Sequence, residues 1–223
     1  MSVAAPNQDL QFERLLHAEP PRMAGKTFAV VVARGTSATH PYFNKLVDPE
    51  QQMQPLDLAD AMHFLCLMHG RAPDAIQTAA QHNADPAAED WLDRTSTAFA
   101  EERALITRLT VAAGPIASTA GQDQCTQVIL QMRGALAKLA QSDRRGCALG
   151  AALAIAIDWW NIREILDPLA RQLGVESSHC EMPTAAESLS LAHNLAADPL
   201  VGRALSFGGA QMLQQHRLFW DML

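Results

Sequence analysis

Between Arg145 and Asp158 the chain runs for twelve residues, 146–157, without a charge, and nine of the twelve are alanine, leucine or isoleucine. Such a run has to be buried on nearly every side. It falls well short of the ~20 apolar residues that span a bilayer, so it predicts the central helix of a helical core rather than a membrane anchor. The stretch 142–173 as a whole reads as this helix, opening with Ser142, Asp143, Arg144 and Arg145. On a helical period Leu149, Leu153, Ala156 and Trp160 form a bulky stripe. Cys147, Ala151, Ala154, Asp158 and Asn161 form a second stripe of small residues that ends in two polar ones, and a neighbouring helix is expected to approach closely there.

The rest of the chain supplies partners for that helix. Asn7 or Asp9 caps a helix over 7–19 that Pro20-Pro21 stops. The run 28–33 is β-branched but has no second strand to pair with, and reads as an isolated extended segment or a short helix. Residues 34–55 read as a long connection with at most a short helix at 42–47. Asp57 then starts a helix ending at His69, and Pro73 or Asp74 opens a short one. Asp85-Pro86 begins a long amphipathic helix stopped by Gly114-Pro115. Thr119-x-x-Gln122 and Thr184-Ala-Ala-Glu187 have the spacing of capping boxes. Pro168 is expected to kink or end the central helix, Asp198-Pro199 to open another, and Gly208-Gly209 to break or kink it before the last segment, 210–223. Six to eight helices with no strand alternation predict an all-α, single-domain bundle, with residues 1–56 packed on a bundle of 57–223.

Charge and cysteine usage narrow the function classes. Seventeen basic against 24 acidic residues give a formal charge of −7, which argues against nucleic acid or an anionic membrane as partner. The four cysteines, Cys66, Cys125, Cys147 and Cys180, are widely spaced and read as reduced core thiols. With no leader pattern and no glycosylation sequon, the expected location is the cytoplasm. Gly25-Lys26-Thr27 resembles the end of a phosphate loop, but Pro20 stands where its first glycine belongs. No nucleophile elbow, zinc-protease helix, dinucleotide fingerprint or EF-hand loop occurs, and no motif requires a cofactor.

What remains is polar residues on apolar stripes. Glu102 takes a core position in the series Leu92, Thr95, Phe99, Glu102, Ile106 and Leu109, and Asp158 follows the uncharged run. A buried acid must be paired, hydrogen-bonded or protonated. Glu102, Asp158 and Asn161, with Trp159 and Trp160 as a wall, are the candidate ligand-binding residues, and a salt bridge that fixes helix register is the competing explanation. Asp60 and His63 share one face of their helix, while Met62, Cys66 and His69 share another. His63, Cys66 and His69 are the candidate metal ligands, suited to zinc, copper or haem iron, although such residues are more often core. No Glu-x-x-His occurs, which argues against a di-iron centre. His193 and His216 also touch apolar stripes.

Chain length, the all-helical reading, His17 in the first helix and the glycine pair 208–209 loosely resemble the haem-oxygenase-like bundles. That resemblance implies a proximal histidine near the N-terminus and a glycine-rich helix bent over a ligand. Two functions are expected from the residues. The first is a non-catalytic interaction or self-associating domain, a possible homo-oligomer, suggested by the missing motifs and the apolar tail 218–223. The second is a bundle holding a small apolar ligand, haem or metal in its core, with possible redox chemistry.

Overall fold

The computed structural model describes residues 27–48, 55–82, 85–115 and 121–223. They form nine α-helices and two short 3-10 turns, with no strand among the described residues. The helices are α1 (Phe28–Gly35), α2 (Pro41–Val47), α3 (Pro55–His69), α4 (Ala75–Gln81), α5 (Glu89–Ala113), α6 (Gln122–Ala140), α7 (Cys147–Leu173), α8 (Ala185–Leu195) and α9 (Pro199–Met222). The all-α bundle read from the sequence is the observed class, with slightly more helices than expected. The helix expected over 7–19 lies outside the described residues. None of the described helices is long and apolar enough to cross a membrane.

α7 is the axis. Every residue from Cys147 to Trp159 is buried, and burying each leucine or isoleucine of the run contributes ~2 kcal/mol. α9 packs along its small stripe and α1 packs on α9. The contact is so close that a Cβ on Gly208 would lie 2.0 Å from the Cys147 carbonyl oxygen, and one on Gly150 would lie 2.2 Å from that of Leu205. Close approach, rather than a break, is therefore the role of the glycine pair 208–209, and α9 runs unbroken through it. This corrects the expected interruption. In the haem-oxygenase-like comparison the helix that carries the glycine pair is continuous, and His17 lies outside the described residues.

The run 28–33 takes the short-helix alternative, and three boundaries differ from expectation. The run 28–33 is helical because Phe28, Val31 and Val32 lie at helical spacing on the buried face of α1. The central helix starts at Cys147, since Gly146 takes a left-handed backbone (φ 89°) and turns the chain before it. Pro168 does not end α7, which continues to Leu173. Proline removes one N–H and leaves the carbonyl of Glu164 without its helical donor, at a residue that is exposed. α6 begins at Gln122 with Gly121 (φ 95°) at its N-cap position, and Thr119 lies outside the described residues. The Thr184–Glu187 box forms as expected, and Asp74 builds a second box with Gln77 that the sequence reading had only as a helix start.

Candidate functional site

Asp158 sits at the centre of the core with no exposed surface. Four groups donate to it. Ser37 gives its backbone N–H to Oδ1 and its hydroxyl to Oδ2, both at 2.7 Å; Asn161 Nδ2 donates to Oδ1 at 2.9 Å; His216 Nδ1 lies 2.6 Å from Oδ2. Trp220 Nε1 in turn donates to Ser37 Oγ at 2.7 Å. α7, α9 and the 3-10 turn after α1 are thus tied at one carboxylate. Burial alone would raise the pKa of Asp158, but the bonds and charge of His216, with Ser37 and Asn161, hold it below the usual carboxylate value.

The network continues outward. His216 Nε2 lies 3.0 Å from His69 Nε2. Two facing nitrogens at that distance share one proton. With His216 neutral and its Nδ1–H on Asp158, its Nε2 is an acceptor and His69 Nε2 carries the shared proton, whereas a charged His216 donates from both nitrogens. Neutral His69 then has its lone pair on Nδ1. Burial, and secondarily His216, push the pKa of His69 well below that of a free imidazole, which favours this neutral state. Trp159 and Phe99 pack edge-on against the His69 ring at 5.6 and 6.0 Å between centroids and fix its plane.

Glu102 forms a second buried knot on the other side of Trp159. Trp159 Nε1 donates to its Oε2 at 2.8 Å, and Arg163 Nη1 lies 3.5 Å from the same oxygen. The Cys180 thiol also donates to Glu102, and burial, with the Glu102 charge adding to it, pushes that thiol up to about 12. Burial raises the pKa of Glu102, while Trp159 and Arg163 resist the rise. Arg163 reaches on to Asp167 Oδ1 at 3.3 Å and to the Ser178 carbonyl. The cluster is an ion pair with hydrogen bonds to Trp159 and Cys180, although Arg163 Nε and Nη1 are buried without a hydrogen-bond partner.

His69 is different, because it lies at the C-terminal end of α3, where the chain turns into α4, and lines a cleft of about 60 Å³. Arg71, Asp74, Thr78, Arg133 and Leu136 also line it. With Nε2 committed to His216, Nδ1 is the remaining polar atom of this cleft-lining ring, and it makes no hydrogen bond among the described residues. Asp74 is neutralised by Arg103, Nε to Oδ2 at 2.9 Å, and burial pushes its pKa up against the pull of its cap bonds and Arg103. Arg71 and Arg133 form no ion pair among the described residues; Arg133 Nη1 donates only to the Leu67 carbonyl, at 3.4 Å. The cleft is therefore locally positive in an acidic protein.

The residues singled out from the sequence are placed as follows. Asp158, Asn161 and Trp159 join the buried network directly, with Glu102 on the far side of Trp159. Trp160 turns away and donates to the Pro183 carbonyl at 3.1 Å. The proposed metal set does not converge: His63 Nε2 bonds the Gly114 carbonyl at 2.7 Å and His69 turns to His216. Among the described residues no group of three or more His, Cys, Asp or Glu side chains is placed to hold a metal ion. All four cysteines are free thiols. His193 is exposed, whereas His216 is buried. Sequence reasoning missed Ser37, Trp220, Arg71, Thr78 and Arg133. Only Arg133 carried a signal, a cation beside Met132 in an otherwise apolar helical series.

Fold and site together define a helical bundle with a buried acid–imidazole–imidazole chain that ends at a surface cleft. The chain belongs to a family of unknown function, DUF6975, whose model matches residues 32–223. No curated protein and no solved structure matches it.

Proposed function

We propose that the protein is a helical ligand-binding bundle whose site is the cleft over His69. The observation that carries this reading is that His69 belongs at once to the buried network and to the wall of an open cleft. At roughly 30 Å³ per water, about 60 Å³ suits a guest of a few heavy atoms. That favours a small polar ligand over the haem or apolar core ligand that the sequence allowed. Glu102 and Asp158 support the site from behind and do not touch the ligand. The test is a two-dimensional amide NMR screen of the full chain against mixtures of small polar molecules. The reading expects saturable shifts at residues 75–78 and 133–137, and a spectrum indifferent to every mixture would reject it.

A second reading, a self-associating domain, rests on Leu200 and Phe207. They lie seven residues apart on one face of α9 and are 65% and 39% exposed. The apolar tail no longer supports it, since Phe219 and Trp220 are buried in the chain's own core. Light scattering of L200K/F207K against the unmodified chain decides it: an oligomer that the double variant dissociates supports the reading, and a monomer in both rejects it.

A further inference from the structure

We infer that the cleft takes a small oxyanion of the carboxylate or phosphate class together with one proton, which the His69–His216 pair accepts. The inference rests on the ligand-cleft reading and adds the ligand's chemistry. Arg71 and Arg133 supply positive charge without a carboxylate partner among the described residues, while Asp74 is already matched by Arg103. An anion is therefore attracted, and a cation is not. The third polar element of the wall is His69, whose ring meets a bound anion with a lone pair if the proton stays on Nε2. Lone pair against anion is repulsive, and one proton at Nδ1 turns it into a charge-assisted hydrogen bond.

The interior provides for that proton. When the ligand arrives as the weak acid, its O–H bond breaks and an N–H bond forms at His69 Nδ1. The proton on His69 Nε2 moves across the 3.0 Å contact to His216 Nε2. His216 becomes an imidazolium whose Nδ1–H faces the ionised Asp158 at 2.6 Å, and His69 is again neutral. When the ligand arrives as the anion, the proton comes from water and the end state is the same. Without the ligand, a charge on this buried pair would face Arg71, Arg133 and Arg103 with only Asp158 and Asp74 in opposition. From α5, Glu102 is screened from it behind Trp159. The bound anion offsets the added charge at the cleft end, and Asp158 offsets it at the other. Binding and protonation are linked, so each strengthens the other equally.

The experiment is isothermal calorimetry of the full chain with acetate, glycolate and inorganic phosphate, each in two buffers of different ionisation enthalpy, from pH 6 to pH 8.5. The inference expects at least one of these anions to bind with close to one proton taken up per site. Its affinity should fall about tenfold per pH unit at the alkaline end. R133M should weaken binding at least tenfold, and H69Q should abolish the proton uptake. Should H69Q fail to fold, the proton count of the unmodified chain still decides. Binding without proton uptake overturns the relay and leaves the cleft reading standing. No binding by any of the three up to about 10 mM overturns the inference, and the screen with uncharged polar molecules then decides the cleft reading separately.

Discussion

Replacing Asp158 with asparagine tests the buried network at its node. The side chain keeps its size, so packing is undisturbed, but four groups from three neighbours donate: Ser37 N–H and Asn161 to one oxygen, Ser37 Oγ and His216 to the other. Neither orientation of an amide fits as the groups stand: toward Oδ1 its NH2 meets two donors, and toward Oδ2 it meets the His216 Nδ1–H, while the Ser37 hydroxyl there can turn to accept. The charge that strengthens these bonds is also lost. Hydrogen bonds to an ionised group contribute ~1.5–3 kcal/mol each, and at least one becomes a donor-to-donor contact while the others lose the charge, so the loss comes to about 3–5 kcal/mol. Against a total of ~5–15 kcal/mol for a folded domain that is a large fraction. The remedy open to the chain has a signature of its own. With the amide NH2 toward α9, His216 must shift its proton from Nδ1 to Nε2, which forces His69 to move its own from Nε2 to Nδ1. Urea denaturation gives the loss, and long-range proton–nitrogen NMR of the imidazoles reads the tautomers. A loss under about 1 kcal/mol with His216 still protonated at Nδ1 would refute the assignment of Asp158 as the acceptor that orders the chain.

Other outcomes follow from the same coordinates. G208A places a methyl where the Cys147 carbonyl oxygen lies 2.0 Å away, so α7 and α9 must separate; the cost is about 3 kcal/mol or more in thermal or urea unfolding, and a loss below 1 kcal/mol would show that the helices slide apart freely. W220F removes the donor to Ser37 Oγ and is expected to lose ~1–2 kcal/mol in the same assay. The folded-state pKa of His69 lies below the 6.5 of a free imidazole, so the unfolded chain binds the extra proton first as pH falls. Its contribution to stability is therefore complete above 6.5 and declines below it by up to about 1.4 kcal/mol per pH unit. Asp158 adds a loss at lower pH, as the solution falls below 3.8, whereas Glu102 and Asp74, whose pKa values are raised, return stability on acidification. The difference between the unmodified chain and H69Q from pH 7 to pH 5 isolates the His69 share, and equal slopes would contradict it.

The burial of Glu102 and Asp158 was legible because helical periodicity is a local property: a carboxylate in phase with Leu92, Phe99 and Ile106 has to go inside. The capping box at Thr184 and the short helix behind Asp74 were legible for the same reason. The glycine pair was misread because composition shows what a glycine permits and not what presses against it. Only the crossing of α7 and α9 reveals that Gly208 is a contact surface. Likewise, His69 and His216 each stood out on an apolar stripe, but nothing within either segment says that they meet across 147 residues of chain. Ser37 was hidden in a stretch whose Gly, Ser, Thr and Pro content reads as a connection, although its backbone and hydroxyl both hold Asp158. The cleft depends on the turn between α3 and α4 meeting α6, a tertiary juxtaposition with no sequence signature.

The central claim is that a single directed chain of protons links Asp158 to the cleft. It is tested most directly by the imidazole nitrogen spectrum of the unliganded full chain at pH 7.5. The account predicts His216 protonated at Nδ1, and His69 neutral, protonated at Nε2 with an unprotonated Nδ1. A spectrum with His216 protonated at Nε2, or with His69 carrying its proton on Nδ1, would contradict it.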